Sequence, residues 1–233
     1  PRSGKTNRLV NYLQNPNFYQ GKFDAVYIYS STMSNGDDTA RFLYDEYGDT
    51  IYSEYSDSHL QSIIDYQDSI PKQQRPRIAL IFDDFISFTN SKRNSLMFKI
   101  ASSYRHHNIM MLLYNTQQMR YVPPIVRACA NYVILSQNSN LKQVEQFSEE
   151  YGNVYGVEKF KEIYAEATSI PFGFLYLDLY GFTGSNNKPK AYQNFTKLLY
   201  EAPISYNKTL DPKISKNKKN KIETISEEDS DSE

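Results

Sequence analysis

A short glycine–lysine–threonine stretch near the first residue limits what this chain can fold into. Gly4-Lys5-Thr6 is the second half of the pattern G-x-x-x-x-G-K-[ST], in which a loop holds phosphate groups at the start of a helix. The glycine lets backbone N–H groups close around phosphate oxygens, the lysine adds a point charge, and the threonine hydroxyl reaches Mg²⁺. The residues predicted to contact nucleotide are Arg2, Ser3, Gly4, Lys5, Thr6 and Asn7. The first glycine of the full pattern is expected just before Pro1, so we expect the sequence to begin inside the loop, without its preceding strand.

Apolar runs alternate with amphipathic segments along the rest of the chain. Strands are predicted at 25–29, 50–55, 78–82, 109–114, 132–135 and 172–179, the last of them in a hairpin or at a sheet edge. Helices are predicted after Thr6, at 40–47, from Asp57 or Ser58, at 92–104, at 123–128, and around Val144 and Phe160. Strands that alternate with helices predict an α/β fold with a parallel, doubly wound sheet.

Two acidic residues follow the most apolar of these strands. Ile78 to Phe82 is apolar throughout, as a strand covered on both faces should be, and Asp83 and Asp84 come directly after it. In a nucleotide site the first acid holds Mg²⁺, directly or through water, and the second orients and deprotonates the attacking water. A solvated strand end would also contain such a pair. The position on a buried strand, downstream of the G-K-T stretch, favours the nucleotide site.

Polar amides end the next buried strand, and three arginines are candidates for the same chemistry. Asn115-Thr116-Gln117-Gln118 lies where parallel strands present their carboxyl ends to a ligand, so an amide there can sense a γ-phosphate. Arg105 and Arg127 can each reach the γ-phosphate of a neighbouring subunit as an arginine finger, and Arg2 can act within its own chain. An ordinary loop amide and ordinary surface arginines are the alternatives.

Composition narrows the class of protein. The net charge is -1 and the pI about 6.4, so any contact with nucleic acid must be local. Cys129 is the single cysteine, which excludes a disulfide framework and fits a reducing intracellular setting. No apolar run approaches the length of about 18 residues that a membrane span needs, so no membrane contact is expected. His106 and His107 do not have zinc-site spacing with this cysteine.

The last part of the sequence changes character. The predicted core ends near Pro203; a basic block, Lys213 to Lys221, and an acidic block, Glu223 to Glu233, follow. Neither block can bury enough apolar surface to fold, so a disordered, charged tail is expected over 207–233.

Taken in order, the motifs resemble one family. P-R-S-G-K-T, I-A-L-I-F-D-D, Y-R-H-H-N-I, N-T-Q and V-P-P-I-V-R-A-C-A-N-Y, spread over residues 1–136, look like viral genome-packaging ATPases of the FtsK–HerA superfamily, especially the poxvirus-type and virophage-type enzymes. The resemblance implies a RecA-like P-loop NTPase fold of the ASCE type, with a mostly parallel sheet sandwiched by helices, over residues 1–206. It also implies that the activity is ATP hydrolysis coupled to translocation of double-stranded DNA into a capsid.

The resemblance assigns roles to individual residues. It places Lys5 and Thr6 on nucleotide and Mg²⁺, Asp83 on the metal, and Asp84 as the catalytic acid, although many relatives have Glu at that position. It favours Gln117 over Gln118 as the γ-phosphate sensor. The implied cofactors are ATP and Mg²⁺. The implied partners are double-stranded DNA, capsid or portal vertex proteins, and further copies of the chain in a ring of five or six subunits. The implied location is the host cytoplasm or a viral factory, and also the virion.

Two other functions remain open at the level of sequence. A helicase or DNA-transfer ATPase of the same superfamily would share the motifs, but such relatives usually carry accessory domains, which we do not expect here. A nucleotide-binding scaffold without turnover would need no second acid at Asp84.

Overall fold

The computed structural model describes residues 4–33, 38, 40–84, 95–182 and 187–203. They form two compact units: the first comprises Pro1–Ala130 and Asn138–Phe147, and the second Asn131–Gln137 and Ser148–Glu233. The predicted contacts of Arg2 and Ser3 and the predicted tail, 207–233, lie outside the described residues. The predicted extent of the ATPase domain, 1–206, stays a prediction.

A four-stranded parallel sheet is the centre of the first unit. Its strands are β1 (Ala25–Ser30), β2 (Ile51–Tyr52), β3 (Ile78–Asp83) and β4 (Ile109–Asn115), in the order β2-β1-β3-β4. Every neighbouring pair is parallel, and every residue of β3 is buried. The prediction of a mostly parallel α/β sheet is therefore confirmed for this unit, although β2 is much shorter than the predicted strand 50–55.

Five of the described α-helices lie entirely within the first unit. They are α1 (Lys5–Gln14), α2 (Arg41–Tyr47), α3 (Asp57–Ser69), α4 (Leu96–Ser103) and α5 (Pro124–Cys129). The residue that caps α3 is Ser56, not Asp57 or Ser58 as predicted, because its hydroxyl accepts the His59 N–H at 3.5 Å. The first part of the predicted helix 92–104 lies outside the described residues. Its last predicted residue, Tyr104, instead begins a short 3₁₀ helix, Tyr104–His107.

Helices cover both faces of this sheet, and the side chains alternate between them. Ile28 of β1 and Ile81 of β3 pack with Leu9 of α1 on one face. On the other face, Tyr29 and Phe82 pack in the same core as residues of α3 and α4, with Tyr114 of β4 against them. The three rings stack across the strands at centroid distances of 5.3 and 5.2 Å. This aromatic ladder joins the strands side by side beneath their carboxyl ends.

The second unit has an antiparallel sheet. Its strands are β5 (Tyr132–Ser136), β6 (Phe174–Asp178), β7 (Lys190–Gln193) and β8 (Lys197–Glu201), in chain order. Two more α-helices follow β5 along the chain: α6 (Leu141–Tyr151), whose residues are divided between the two units, and α7 (Val157–Ala167), which packs against β6 and β7.

Two details of this second sheet differ from the sequence predictions. β5, which the alternation of strands and helices grouped with the parallel strands, pairs antiparallel with β6; apolar patterning does not distinguish the two directions of pairing. β6 begins later than predicted because Gly173 donates its N–H to Ile170 O at 2.9 Å and closes a turn, in which Phe172 has φ 59°. The predicted hairpin is confirmed by the pairing of β6 with β7. Among the described residues, no helix is both long and apolar enough to cross a membrane.

Replacing the middle ring of the aromatic ladder should cost much of the fold's stability. Phe82 is 0% exposed, so we expect Phe82→Ala to lower the free energy of unfolding by about 3–5 kcal/mol, through lost burial and the cavity left behind. Tyr66→Ala on the exposed side of α3, where the residue is 59% exposed, is the matched control and should change it by less than about 0.5 kcal/mol. Urea denaturation followed by circular dichroism measures both. Equal losses in the two variants would contradict the importance of the ladder.

Candidate functional site

Three polar residues lie side by side where β1, β3 and β4 end. The register pairs Ser30 with Asp83 and Asp83 with Asn115, one step beyond the aromatic ladder. Because side chains alternate along a strand, this row points to the face opposite the rings. That is the face on which α1 packs, so the register alone turns the first acid toward the helix that follows Gly4.

Asp83 is held by uncharged groups on both sides. Its side chain accepts the Ser30 hydroxyl proton at 3.2 Å on Oδ2 and the Asn115 amide at 2.5 Å on Oδ1, and the residue is only 4% exposed. Burial raises the pKa of Asp83, and the two hydrogen bonds oppose that rise; the negative charge of Asp84 raises the pKa further, and Lys5 lowers it. Neutral donors orient a carboxylate without cancelling its charge, which leaves that charge for a cation.

Asp84 faces a different set of groups. Its backbone φ of 50° is unusual for a residue other than glycine, though aspartate tolerates it better than most; its N–H donates to Asn115 O at 3.0 Å. The turn brings its carboxylate to the Gln117 amide, which donates at 3.2 and 3.0 Å to the two oxygens, and to 3.8 Å from Lys5 Nζ. Lys5, Asp84 and Gln117, each singled out from sequence, therefore meet at one point.

The start of α1 has the geometry that the G-K-T stretch predicts. Gly4 has φ 69° and ψ 20°, a left-handed conformation that glycine adopts without strain, and its carbonyl accepts the Arg8 N–H at 2.9 Å. The helix begins at Lys5, and no side chain in the described part of the chain caps it. The first N–H groups of a helix lack partners within it and point outward with its positive end, so this end of α1 can bind an anion beside Lys5 and Thr6.

Of the predicted arginine fingers, Arg105 lies away from this cluster. Arg105 lies in the 3₁₀ helix just before β4, whereas the site lies where β4 ends, and the seven residues of this strand span roughly 20 Å. The Arg105 guanidinium donates to the Tyr104 hydroxyl at 2.9 Å and covers its ring. Arg127, on α5, donates to Val122 O at 2.6 Å. Arg105 is thus too far away to serve its own chain's site.

Sequence reasoning missed the two partners of Asp83. Asn115 belongs to the polar strand end in which Gln117 is the predicted sensor, and Ser30 is not among the predicted site residues. A signal for both existed: each is the polar residue that ends an apolar strand, and aligning the ends of three parallel strands places them beside Asp83.

The oxygen donors of this site can hold Mg²⁺ only together with oxygens from a bound ligand and water. The described residues contain no group of three His, Cys, Asp or Glu side chains that could hold a metal ion. Mg²⁺ favours one or two protein oxygens together with phosphate oxygens and water. The Asp83 carboxylate and the Thr6 hydroxyl suit that kind of coordination.

Comparison with known proteins identifies the fold. No protein-family model and no curated protein matches the sequence. Among solved structures, the DNA-packaging ATPase B204 of Sulfolobus turreted icosahedral virus matches with a TM-score of 0.57 and 16% identity, over 82% of this chain and 91% of that one. The genome-packaging NTPase B204 of Sulfolobus turreted icosahedral virus 2 matches with a TM-score of 0.55 in its complex with ATP-γ-S, at 16% identity over 82% and 91% of the chains. In its complex with AMPPCP the same protein has a TM-score of 0.53, at 16% identity over 81% and 91%.

The chain has a P-loop NTPase fold. The fold class predicted from the motifs is thereby confirmed. In this P-loop fold the parallel sheet of the first unit carries Asp83 and Asp84 at its carboxyl edge, where open α/β sheets bind their ligands.

Removing the Asn115 amide should raise the pKa of Asp83 further, because a donor to a carboxylate favours its charged form. The folded pKa already lies above the 3.8 of an unperturbed aspartate. Because the fold favours protonated Asp83, this group stabilises the folded protein fully below pH 3.8, and that stabilisation is lost as the pH rises through the folded pKa. Asn115→Ala should therefore lower the free energy of unfolding more at pH 7 than at pH 4.

Carboxyl ¹³C NMR titration measures the pKa of Asp83, and urea denaturation at both pH values measures the stability. Asn153→Ala, at an exposed position, is the control. A pKa that stays the same or falls would contradict the role of the amide.

Proposed function

We propose that this protein is an ATPase whose turnover drives double-stranded DNA into a viral capsid. The observation that carries the proposal is the meeting of Lys5, Asp84 and Gln117 beside the buried, neutrally held Asp83. This cluster lies on a fold shared with B204 proteins described as packaging NTPases, one of them in complex with ATP-γ-S. A lysine at a helix start, an acid for a metal and a second acid for water are the parts that phosphoryl transfer requires.

The start of α1 binds the phosphates of the nucleotide. The backbone N–H groups after Gly4 and the ammonium of Lys5 bind phosphate oxygens, and Asn7 and the preceding loop residues Arg2 and Ser3 are further proposed contacts. Bound Mg²⁺ would neutralise developing charge on the phosphates, and Thr6 and Asp83 are the residues that would hold it. Because Ser30 and Asn115 are neutral, they orient the Asp83 carboxylate without cancelling the charge that this task needs.

The pairing of Lys5 with Asp84 implies an exchange of partners. A γ-phosphate that contacts Lys5 competes with the Asp84 carboxylate for the same ammonium, and it also competes for the Gln117 amide. The γ-phosphate and the Asp84 carboxylate are both negative, so they would repel each other if both remained next to Lys5 and Gln117. When phosphate takes the donors, Asp84 is released to accept a hydrogen bond from water. Gln117 thus registers the γ-phosphate by moving its amide from one anion to the other.

The chemical step then needs a base near the γ-phosphate. Water attacks the γ-phosphorus, the bond to the bridging oxygen breaks, ADP leaves, and the water proton passes to Asp84. A pure nucleotide switch needs binding but no such base, so the placement of Asp84 favours turnover over a scaffold.

The proposed assembly is a ring of five or six copies that acts on duplex DNA at a capsid vertex in infected cells. Arg105 lies at the opposite end of β4 from the site, so it can complete only a neighbour's site. Arg127 is the alternative. With a net charge of -1, the chain must contact DNA through a local surface, and the basic block Lys213 to Lys221 is one candidate.

The two motifs should separate nucleotide binding from chemistry. We expect Lys5→Ala to abolish nucleotide binding. Asp84→Asn should leave binding equal or tighter, because a competing anion is gone, and should lower kcat by at least about 100-fold, because the base is lost. A fluorescent ATP analogue and steady-state hydrolysis, with and without duplex DNA, measure the two effects. Asp45→Asn on the exposed side of α2 is the control. Hydrolysis at the wild-type rate by Asp84→Asn would refute the role of this acid, and a wild-type protein that binds nucleotide without turnover would support the scaffold.

Mixing variants tests whether an arginine acts between subunits. Asp84→Asn subunits lack chemistry but keep their arginines, whereas Arg105→Ala or Arg127→Ala subunits keep the base. If one of these arginines acts on a neighbour, mixing the Asp84 variant with that arginine variant should restore part of the hydrolysis lost in each alone. Light scattering verifies that mixed assemblies form. Mixed rings without any recovery, at every ratio, would exclude both arginines.

A further inference from the structure

Ser30 is a buried hydroxyl at the point where the sheet meets the first acid. It is the last residue of β1 and is 0% exposed. The residues two and four positions before it on the same face, Ile28 and Val26, are apolar and pack in the core with α1. The strand therefore changes from apolar to polar in the row that contains Asp83. Burial of a hydroxyl destabilises the fold unless the hydroxyl is hydrogen-bonded.

The hydrogen bonds of Ser30 fix where its proton points. Its Oγ accepts the Met33 N–H at 3.2 Å, and Asp83 Oδ2 lies 3.2 Å from the same oxygen. A hydroxyl has one proton to donate. Because the Met33 contact uses an acceptor position and an ionised carboxylate can only accept, the proton is directed at Asp83.

Ser30 and Asn115 together hold the two oxygens of one carboxylate from opposite neighbouring strands. A carboxylate tied at both oxygens cannot turn about its own axis, so its remaining lone pairs keep a fixed direction. Hydrogen bonds of this kind to metal-binding carboxylates orient the ligand and tune its affinity for the ion.

We propose that Ser30 is a positioning residue that sets the Asp83 carboxylate for Mg²⁺ and joins it to the turn after β1 through Met33. This inference rests on the proposed ATPase function, because it takes Asp83 as the residue that holds the metal. Ser30 itself touches neither nucleotide nor metal. Its effect is transmitted through the carboxylate that it orients.

The test is the dependence of ATP hydrolysis on free Mg²⁺ at saturating ATP. Ser30→Ala should raise the half-saturating Mg²⁺ concentration by about 10-fold, the lower end of the effect of removing such a partner. Ser30→Thr keeps the hydroxyl and should restore most of the wild-type value. Thr32→Ala removes an exposed hydroxyl two residues later and should leave the curve unchanged. A merely structural serine would lower kcat or the melting temperature without moving the Mg²⁺ curve, and that result would overturn the proposal.

A second measurement separates this inference from the proposed function. Mn²⁺ binding in the presence of ADP, followed by the loss of the free-ion EPR signal, needs no turnover. If Ser30→Ala binds Mn²⁺ more weakly while the wild-type protein hydrolyses no ATP, the ATPase proposal is refuted and the role of Ser30 is supported. If the wild-type protein hydrolyses ATP and Ser30→Ala binds Mn²⁺ with unchanged affinity, the ATPase proposal is supported and the role of Ser30 is refuted. If Ser30→Ala does not fold, Ser30→Cys, which keeps a weak donor, replaces it; a folded Cys variant with the wild-type Mn²⁺ affinity would overturn the proposal.

Discussion

The register of three parallel strands determines almost everything at this end of the sheet. Tyr29, Phe82 and Tyr114 lie in one row, and Ser30, Asp83 and Asn115 lie in the next. Because side chains alternate, a slip of β3 by one residue would turn Asp83 into the aromatic face and Phe82 toward α1. The stacked rings oppose such a slip, since all three lose their partners together. A packing interaction on one face thus fixes the position of a charged group on the other.

The two adjacent acids have opposite surroundings, and this difference suits them to the separate tasks that we propose for them. Asp83 is buried between neutral donors, whereas Asp84 lies by a left-handed turn against an amide and an ammonium. Neighbouring titratable groups whose environments differ in this way are a recurrent basis for dividing work in enzymes. The division here arises from backbone geometry, because consecutive residues of a continuing strand would point to opposite faces and the φ of 50° at Asp84 ends the strand.

Much of the fold could be predicted from local patterns, and the site only in part. The unbroken apolar run of β3 and its two acids were visible in the sequence, as were α1 and the turn after it. Partners across strands were not visible: a single sequence does not state that Ser30 lies opposite Asp83, nor that Asp84 turns to meet Gln117. β7 and β8 escaped prediction because each is short and carries lysine, as in Lys190–Gln193, so neither shows a clear apolar alternation.

The contact of Lys5 with Asp84 has a consequence for selectivity among anions. Their side chains are 21% and 15% exposed, so the attraction between them is only partly screened by water. An anion that binds Lys5 must displace a carboxylate that belongs to the same chain and whose effective concentration at Lys5 is therefore high. A small inorganic ion brings few contacts to offset that competition, whereas a nucleoside triphosphate adds those of its other phosphates, sugar and base. The internal carboxylate would in this way discriminate against the large pool of free phosphate in a cell without any residue dedicated to excluding it.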